Sequence, residues 1–328
     1  MDDVKNDGAV PAAAKSIDPA ALDMLAHADE CGIETAFSRA DHMKPCPIGE
    51  SGACCRICSM GPCRLVGKDA EEKTGICGAD MPTIAARHFA RQVAGGVAAH
   101  SDHGRDMAMT LRAVAKGEAA GYRVRDEQKL MSVAGYMGIA TAGREVNEIA
   151  LDVADKALEQ FGQPHGEIIY TRRATPKRQA RWRELGLTPR AIDREVTEVL
   201  HRTHEGVDLD AENILKSALR CSLADGWGGA MISTDISDIL FGPPSPLSSE
   251  VNLGVLKDDQ VNVVVHGHEP TLSAMLVEAA RDPELIAEAK AAGAEGINHA
   301  GICCTSNEIL MRYGIPAAGN FLDRKSVV

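Results

Sequence analysis

Six of the chain's ten cysteines fall between Cys46 and Cys77. They stand at positions 46, 54, 55, 58, 63 and 77, interleaved with Gly52, Gly61, Pro62, Gly75 and Gly78. A segment so rich in cysteine, glycine and proline cannot sustain a long helix or strand. It is expected to be a compact loop wrapped around whatever its thiols bind. Met1–Ala20 carries Asp2 and Asp3 and lacks the apolar run of a secretory leader. In a reducing cytoplasm, clustered cysteines point to metal rather than to disulfides.

The spacing narrows the metal. An iron–sulfur cubane takes four converging thiolates, and Cys-x2-Cys lets two thiolates of one turn reach neighbouring irons. Cys55, Cys58, Cys63 and Cys77 make one complete set for a [4Fe-4S] cluster. The glycines allow tight wrapping, and Arg56 and Arg64 are candidates to offset the cluster's negative charge. Cys46 and Cys54 are left over. Two thiolates do not close a cage, but a symmetric dimer would supply two more across its axis. Zinc also takes four cysteines at Cys-x2-Cys spacing, though its sites favour two paired knuckles, whereas here an adjacent Cys54-Cys55 pair breaks that pattern. A non-catalytic iron–sulfur electron carrier would need only this run.

The rest of the chain reads as α followed by α/β. Hydrophobic residues make up 45% of the 328 residues but aromatics only 3%, so aliphatic residues and alanine must fill the core, which favours close-packed helices. Residues 1–17 are expected to be a flexible lead. Residues 18–242 form the helical iron–sulfur domain, with helices over 18–40, 82–117 (with a bend at Gly95-Gly96), 145–161, 175–185, 188–204 and 211–224. Gly242-Pro243-Pro244-Ser245-Pro246 marks a boundary. In residues 243–322, strands at 261–266, 296–302 and 315–318 alternate with helices at 271–281, 283–292 and 307–313, the last capped by Thr305-Ser306. That alternation predicts an incomplete Rossmann-like parallel sheet. Residues 323–328 do not continue the pattern and are expected to be a non-native tail.

A second constellation follows from that sheet. His268 lies just past the first strand and Cys304 just past the next, and the carboxyl ends of parallel strands face one crevice. Imidazole and thiolate together suit a transition metal. His266 and Cys303 are the rival members of each pair, and a turn histidine beside a buried cysteine pair is the structural alternative. His100 and His103 share a helix face and suit proton transfer near neutral pH, unless they are simply exposed. The net charge of −12 argues against nucleic acid, and no apolar run is long enough to span a bilayer.

Taken together, the motifs resemble the catalytic subunit of anaerobic nickel–iron carbon monoxide dehydrogenase. The resemblance rests on Cys46-Pro47-Ile48-Gly49, the run Gly52 to Arg64, and Gly75-Ile76-Cys77-Gly78. It extends through Ala99 to Arg105, Asp225 to Gly229, Asp238 to Gly242, Val265 to Pro270 and Gly301 to Thr305. It implies a homodimer that reversibly oxidises CO with water to CO2, two protons and two electrons. It further implies that Cys46 and Cys54 are one chain's share of a bridging cluster, and that Cys55, Cys58, Cys63 and Cys77 hold the intermediate cubane. His268 and Cys304 would be two ligands of the nickel–iron–sulfur cluster. His100 matches the active-site histidine, His103 continues the proton path, and Asp225 matches an acidic residue near the catalytic iron. Asp106 stands where some members carry a further histidine. Electrons would pass to a ferredoxin-like acceptor, with acetyl-CoA synthase as a further partner that the resemblance admits. The remaining cluster ligands are absent, so the chain alone is expected to be an inactive fragment. The related hybrid-cluster proteins are the alternative; they space their cysteines differently.

Overall fold

The computed structural model describes residues 15–43 and 46–319. Its helices are α1 (Pro19–Glu30), α2 (Ala36–Asp41), α3 (Pro47–Glu50), α4 (Met81–Ala115), α5 (Glu127–Met137), α6 (Val146–Gly162), α7 (Pro176–Leu185), α8 (Ile192–Arg202), α9 (Ala211–Ala224), α10 (Ala230–Phe241), α11 (Pro270–Ala279), α12 (Pro283–Ala291) and α13 (Cys303–Tyr313). The strands are β1 (Cys54–Cys55), β2 (Cys63–Arg64), β3 (Val261–Gly267), β4 (Ile297–Ile302) and β5 (Ala317–Gly319). Among the described residues, 46–243 form one compact unit, and 15–43 with 244–319 form another. No described helix is long and apolar enough to cross a membrane.

The first unit is helical and built around α4. Asp80 starts that helix by accepting from the Thr83 amide, with Pro82 in the first turn. Ile84, Ala90, Ala94, Val97, Met107 and Leu111 follow at helical spacing and are buried. Helices α6, α8, α9 and α10 pack on this rod. Each fully buried Ile or Leu, such as Leu111, Leu130, Ile149 and Ile214, contributes roughly 1.5–3 kcal/mol. Between α9 and α10 the chain makes a π turn over Asp225–Gly229, with Trp227 at φ −107° and ψ 15°. The turn lies flush on α4: a Cβ on Gly104 would sit 2.4 Å from the Gly229 carbonyl oxygen. Helix α4 runs without interruption through Gly95-Gly96.

The second unit is a parallel three-stranded sheet in the order β3-β4-β5. Helices α11 and α12 connect β3 to β4, and α13 connects β4 to β5. β-branched residues Val261, Val263, Val264 and Val265 define β3, and Asn298 ties β4 to its surroundings through the Val255 carbonyl oxygen at 2.9 Å and Asn262 Oδ1 at 2.8 Å.

Three expectations need correction. The helix read over 18–40 breaks after Glu30: Gly32 turns left-handed at φ +66°, and Thr35 with Ser38 forms a capping box that starts α2. Those two helices also belong with the sheet rather than with residues 46–243. Ala21 is fully buried among Leu253, Val255, Ala300, Ile302 and Ala318, and this apolar contact outweighs sequence proximity. Finally, α13 begins at Cys303 instead of 307. The Thr305 hydroxyl donates to the carbonyl oxygens of Val265 (3.2 Å) and Ile302 (3.0 Å), so it anchors the first turn from inside the helix rather than capping it. The expected tail at 323–328 and most of the lead at 1–17 lie outside the described residues.

Candidate functional site

The cysteine segment is a loop with one small antiparallel bridge, in which Cys55 pairs with Cys63 and Cys54 with Arg64. Cross-strand partners project to the same face, so Cys55 and Cys63 fall side by side while Cys54 projects oppositely. Cys55, Cys58, Cys63 and Cys77 all line one pocket, which Ile57, Ile84 and Ala79 wall with apolar surface. Glycine at 75 keeps this wall close, because a Cβ would come within 3.3 Å of the Cys63 sulfur and crowd it. Cys46 and Cys54 lie outside the pocket lining. Cys46 is exposed at the start of α3, where the Gly49 and Ile48 amides donate to its thiol and hold it below the usual cysteine range.

Sequence reasoning missed the group that dominates the pocket's electrostatics. Arg87 on α4 is 1% exposed and lines the same pocket. Its Nη1 donates to Cys77 Sγ at 3.4 Å and its Nη2 to the Asp208 carbonyl oxygen at 2.7 Å, while Nε is buried with no partner. It makes no ion pair with any described carboxylate. Burial pushes the Cys77 thiol up, but the Arg87 hydrogen bond and the Ala79 and Gly206 amides outweigh it and leave the thiol below its ordinary value. The proposed counter-charges Arg56 and Arg64 are both exposed, so solvent screens them. The signal for Arg87 was present: it occupies an apolar-stripe position between Ile84 and Ala90, where a cation has no reason to be without a partner.

No three His, Cys, Asp or Glu side chains among the described residues gather tightly enough to hold a single ion. A cubane takes one thiolate on each of four irons and does not need that convergence. A buried guanidinium without a carboxylate, facing four thiols, fits a body with net negative charge.

His100 and His103 lie on α4 with ring centroids 6.0 Å apart at 84°. The π turn brings Asp225 to this face. His100 Nδ1 lies 2.8 Å from Asp225 Oδ1 and 2.9 Å from Oδ2, and the Ser101 hydroxyl donates to the same carboxylate at 2.8 Å. Gly229 permits the approach, since a Cβ there would meet Ser101 at 2.5 Å. A carboxylate on Nδ1 fixes the ring and places the neutral ring's lone pair on Nε2.

In the α/β unit, β3 and β4 stay in register to His266–Ile302, and one further bridge joins Gly267 to Cys303. His268 and Cys304 are therefore the next residues on two adjacent parallel chains. Cys303 turns the chain at φ +71°, a left-handed conformation that L residues adopt only under constraint, and α13 starts there. Gly301 lets strand and helix meet, because a Cβ would fall 2.6 Å from Ser306 Cα. Cys303 is buried and Cys304 half-buried, in a first helical turn whose amides favour negative charge. His266 is two residues before His268, on the ladder itself.

These features define a class. The chain belongs to the prismane/CO dehydrogenase family, whose sequence model matches residues 53–328. It is 53% identical over 317 residues to carbon monoxide dehydrogenase 1 of Methanosarcina mazei, covering 96% of this chain and 50% of that protein. It is 44% identical over 318 residues to the carbon monoxide dehydrogenase/acetyl-CoA synthase subunit beta of Moorella thermoacetica, covering 96% of this chain and 47% of that one. Its structure resembles the nickel-free carbon monoxide dehydrogenase of Thermococcus sp. AM4, with a TM-score of 0.89 at 45% identity, covering 98% of this chain and 51% of that one. The chain thus spans about half the length of the curated relatives it matches.

Proposed function

We propose that this chain supplies the cluster-bearing half of a carbon monoxide dehydrogenase, an oxidoreductase that converts CO and water reversibly to CO2, two protons and two electrons. The observation that carries the reading is the set of four thiols around buried Arg87 in a chain matching such enzymes along nearly its whole length. Cys55, Cys58, Cys63 and Cys77 hold a [4Fe-4S] cluster. Cys46 and Cys54 offer two thiolates to a second cluster shared with another copy of the chain in a homodimer. His268 and Cys304 supply two ligands to a nickel–iron–sulfur cluster, the rest coming from sequence beyond this half. When bound, these groups supply one-electron redox steps and a Lewis-acidic site for CO.

The chain's own residues do the positioning and proton work. Asp225 holds His100 through Nδ1, which orients the ring for proton exchange. His103, one turn on, extends the path. The Gly267–Cys303 bridge puts His268 and Cys304 at the ends of two adjacent parallel chains, as such a shared site needs. Electrons leave by the cubane and the shared cluster to a ferredoxin-like acceptor in the cytoplasm. The relative from Moorella makes acetyl-CoA synthase a further candidate partner.

Two ligands do not hold the nickel cluster. Purified alone and reconstituted with iron, sulfide and nickel, this chain is expected to load the cubane and to reduce no dye with CO. In an active enzyme containing this half, His268→Ala and Cys304→Ser abolish CO-dependent dye reduction and lower nickel content. Full activity with full nickel in either variant refutes the ligand assignment, and CO oxidation by the chain alone refutes the half-enzyme reading.

A further inference from the structure

We propose that Arg87 sets the reduction potential of the cluster held by Cys55, Cys58, Cys63 and Cys77, as its buried counter-charge. The inference rests on the cubane reading above and goes beyond ligand assignment.

The geometry is specific to arginine. One planar group reaches the Cys77 sulfur through Nη1 and the Asp208 carbonyl oxygen through Nη2. Two further α4 side chains grip the same loop: the Thr83 hydroxyl donates to the Leu209 carbonyl oxygen at 2.8 Å, and Arg91 Nη1 donates to the Thr203 hydroxyl oxygen at 3.1 Å. Positions 83, 87 and 91 recur every four residues and so form one face of α4. That face fixes the guanidinium against the loop carrying Gly206, whose amide donates to the same sulfur. Of the other charged side chains near the pocket, Arg56, Arg64 and Glu205 are exposed. Of the two charged residues lining the pocket, Glu205 is exposed and Arg87 is buried, so Arg87 acts at low dielectric, where a charge counts most.

Reduction adds one electron from an external reductant and breaks no bond. The added negative charge falls on a body whose sulfur ligand is already bonded to a buried cation. The reduced form gains more from that contact than the oxidised form does, so the potential rises.

The test uses the 328-residue chain with Cys54→Ser, which removes the shared cluster's signal. It is reconstituted anaerobically with iron and sulfide and titrated with dithionite, followed by electron paramagnetic resonance. Arg87→Gln is expected to move the midpoint to more negative potential, and Arg87→Lys to fall between it and the parent. Arg56→Gln, which removes an exposed cation, leaves the midpoint in place. Loss of cluster iron from Arg87→Gln with an unchanged helical circular dichroism spectrum also supports the counter-charge. Should Arg87→Gln fail to fold, the Arg87→Lys midpoint decides. Equal iron and equal midpoints in the Arg87 variants and the parent overturn the proposal, as does an Arg56→Gln shift as large as that of Arg87→Gln. A parent chain that takes up no iron and sulfide overturns the cubane reading itself.

Discussion

His100 Nδ1 and Asp225 Oδ1 lie 2.8 Å apart although 125 positions separate them in sequence. The contact joins α4 to the π turn before α10, and it orients a titratable ring on a rigid helix. In an active enzyme containing this half, His100→Ala should lower CO-dependent dye reduction by about 10²–10⁴-fold, the usual worth of a general acid–base group. Asp225→Asn should cost less, because a carboxamide oxygen still accepts from Nδ1 but does not stabilise the imidazolium. Unchanged turnover in His100→Ala removes the histidine from the chemistry.

The glycines of α4 should behave oppositely. Gly104→Ala pushes a Cβ to 2.4 Å from the Gly229 carbonyl oxygen, so overpacking should cost about 1–3 kcal/mol. Gly96→Ala meets nothing within 4 Å in the same helix and should stabilise by roughly 0.5–1 kcal/mol. Urea unfolding of both variants measures the contrast, and equal signs would show that the contact with the π turn is loose.

Glu195 should give the helical unit an acid limit. It is fully buried, and burial pushes its carboxyl up, but Arg190 at 2.8 Å and Arg220 at 2.7 Å outweigh that and hold it below the ordinary value of 4.5. A depressed carboxyl contributes stability that is complete above pH 4.5 and is lost as pH falls through the native value. Glu195→Gln should destabilise at neutral pH by about 1–3 kcal/mol, since it leaves Arg190 and Arg220 with only the more distant Glu198 carboxylate at 4.0 Å, and should flatten the acid slope. Thermal melts across the acid range decide; a slope unchanged by the substitution assigns the acid sensitivity elsewhere.

The cysteines should separate into two groups. Cys58→Ser and Cys63→Ser should abolish the [4Fe-4S] signal of the chain alone. Cys46→Ser and Cys54→Ser should keep it and lose only the iron shared by two copies, seen as lower iron per chain together with a shift toward monomer on gel filtration. A Cys54→Ser chain without the cubane signal would refute the division.

Much of this organisation is local and so legible in the sequence. Cysteine spacing, the Asp80-Pro82 helix start and the valine-rich β3 each act within a few residues. The alternation of strand and helix placed His268 and Cys304 past neighbouring strand ends, and the Gly267–Cys303 bridge has that geometry. What stayed hidden depends on contacts far apart in the chain. Nothing near Asp225 announces that a π turn delivers it to His100, and nothing near Asp208 announces Arg87. Ala21 looks like any helical alanine until the sheet buries it. The start of α13 was misread because Thr305 resembles a cap, and only its partner Val265, forty residues back, reveals the anchor.

Because Arg87 and His100 ride on one unbroken α4, thirteen residues apart, the helix acts as a ruler of about 20 Å between the cysteine pocket and the histidine pair. Such a ruler tolerates substitution far better than insertion. One added residue between them would turn His100 by about 100° away from Asp225 and lengthen the span by about 1.5 Å, breaking both attachments at once. This segment of α4 should therefore keep its residue count even where its side chains vary.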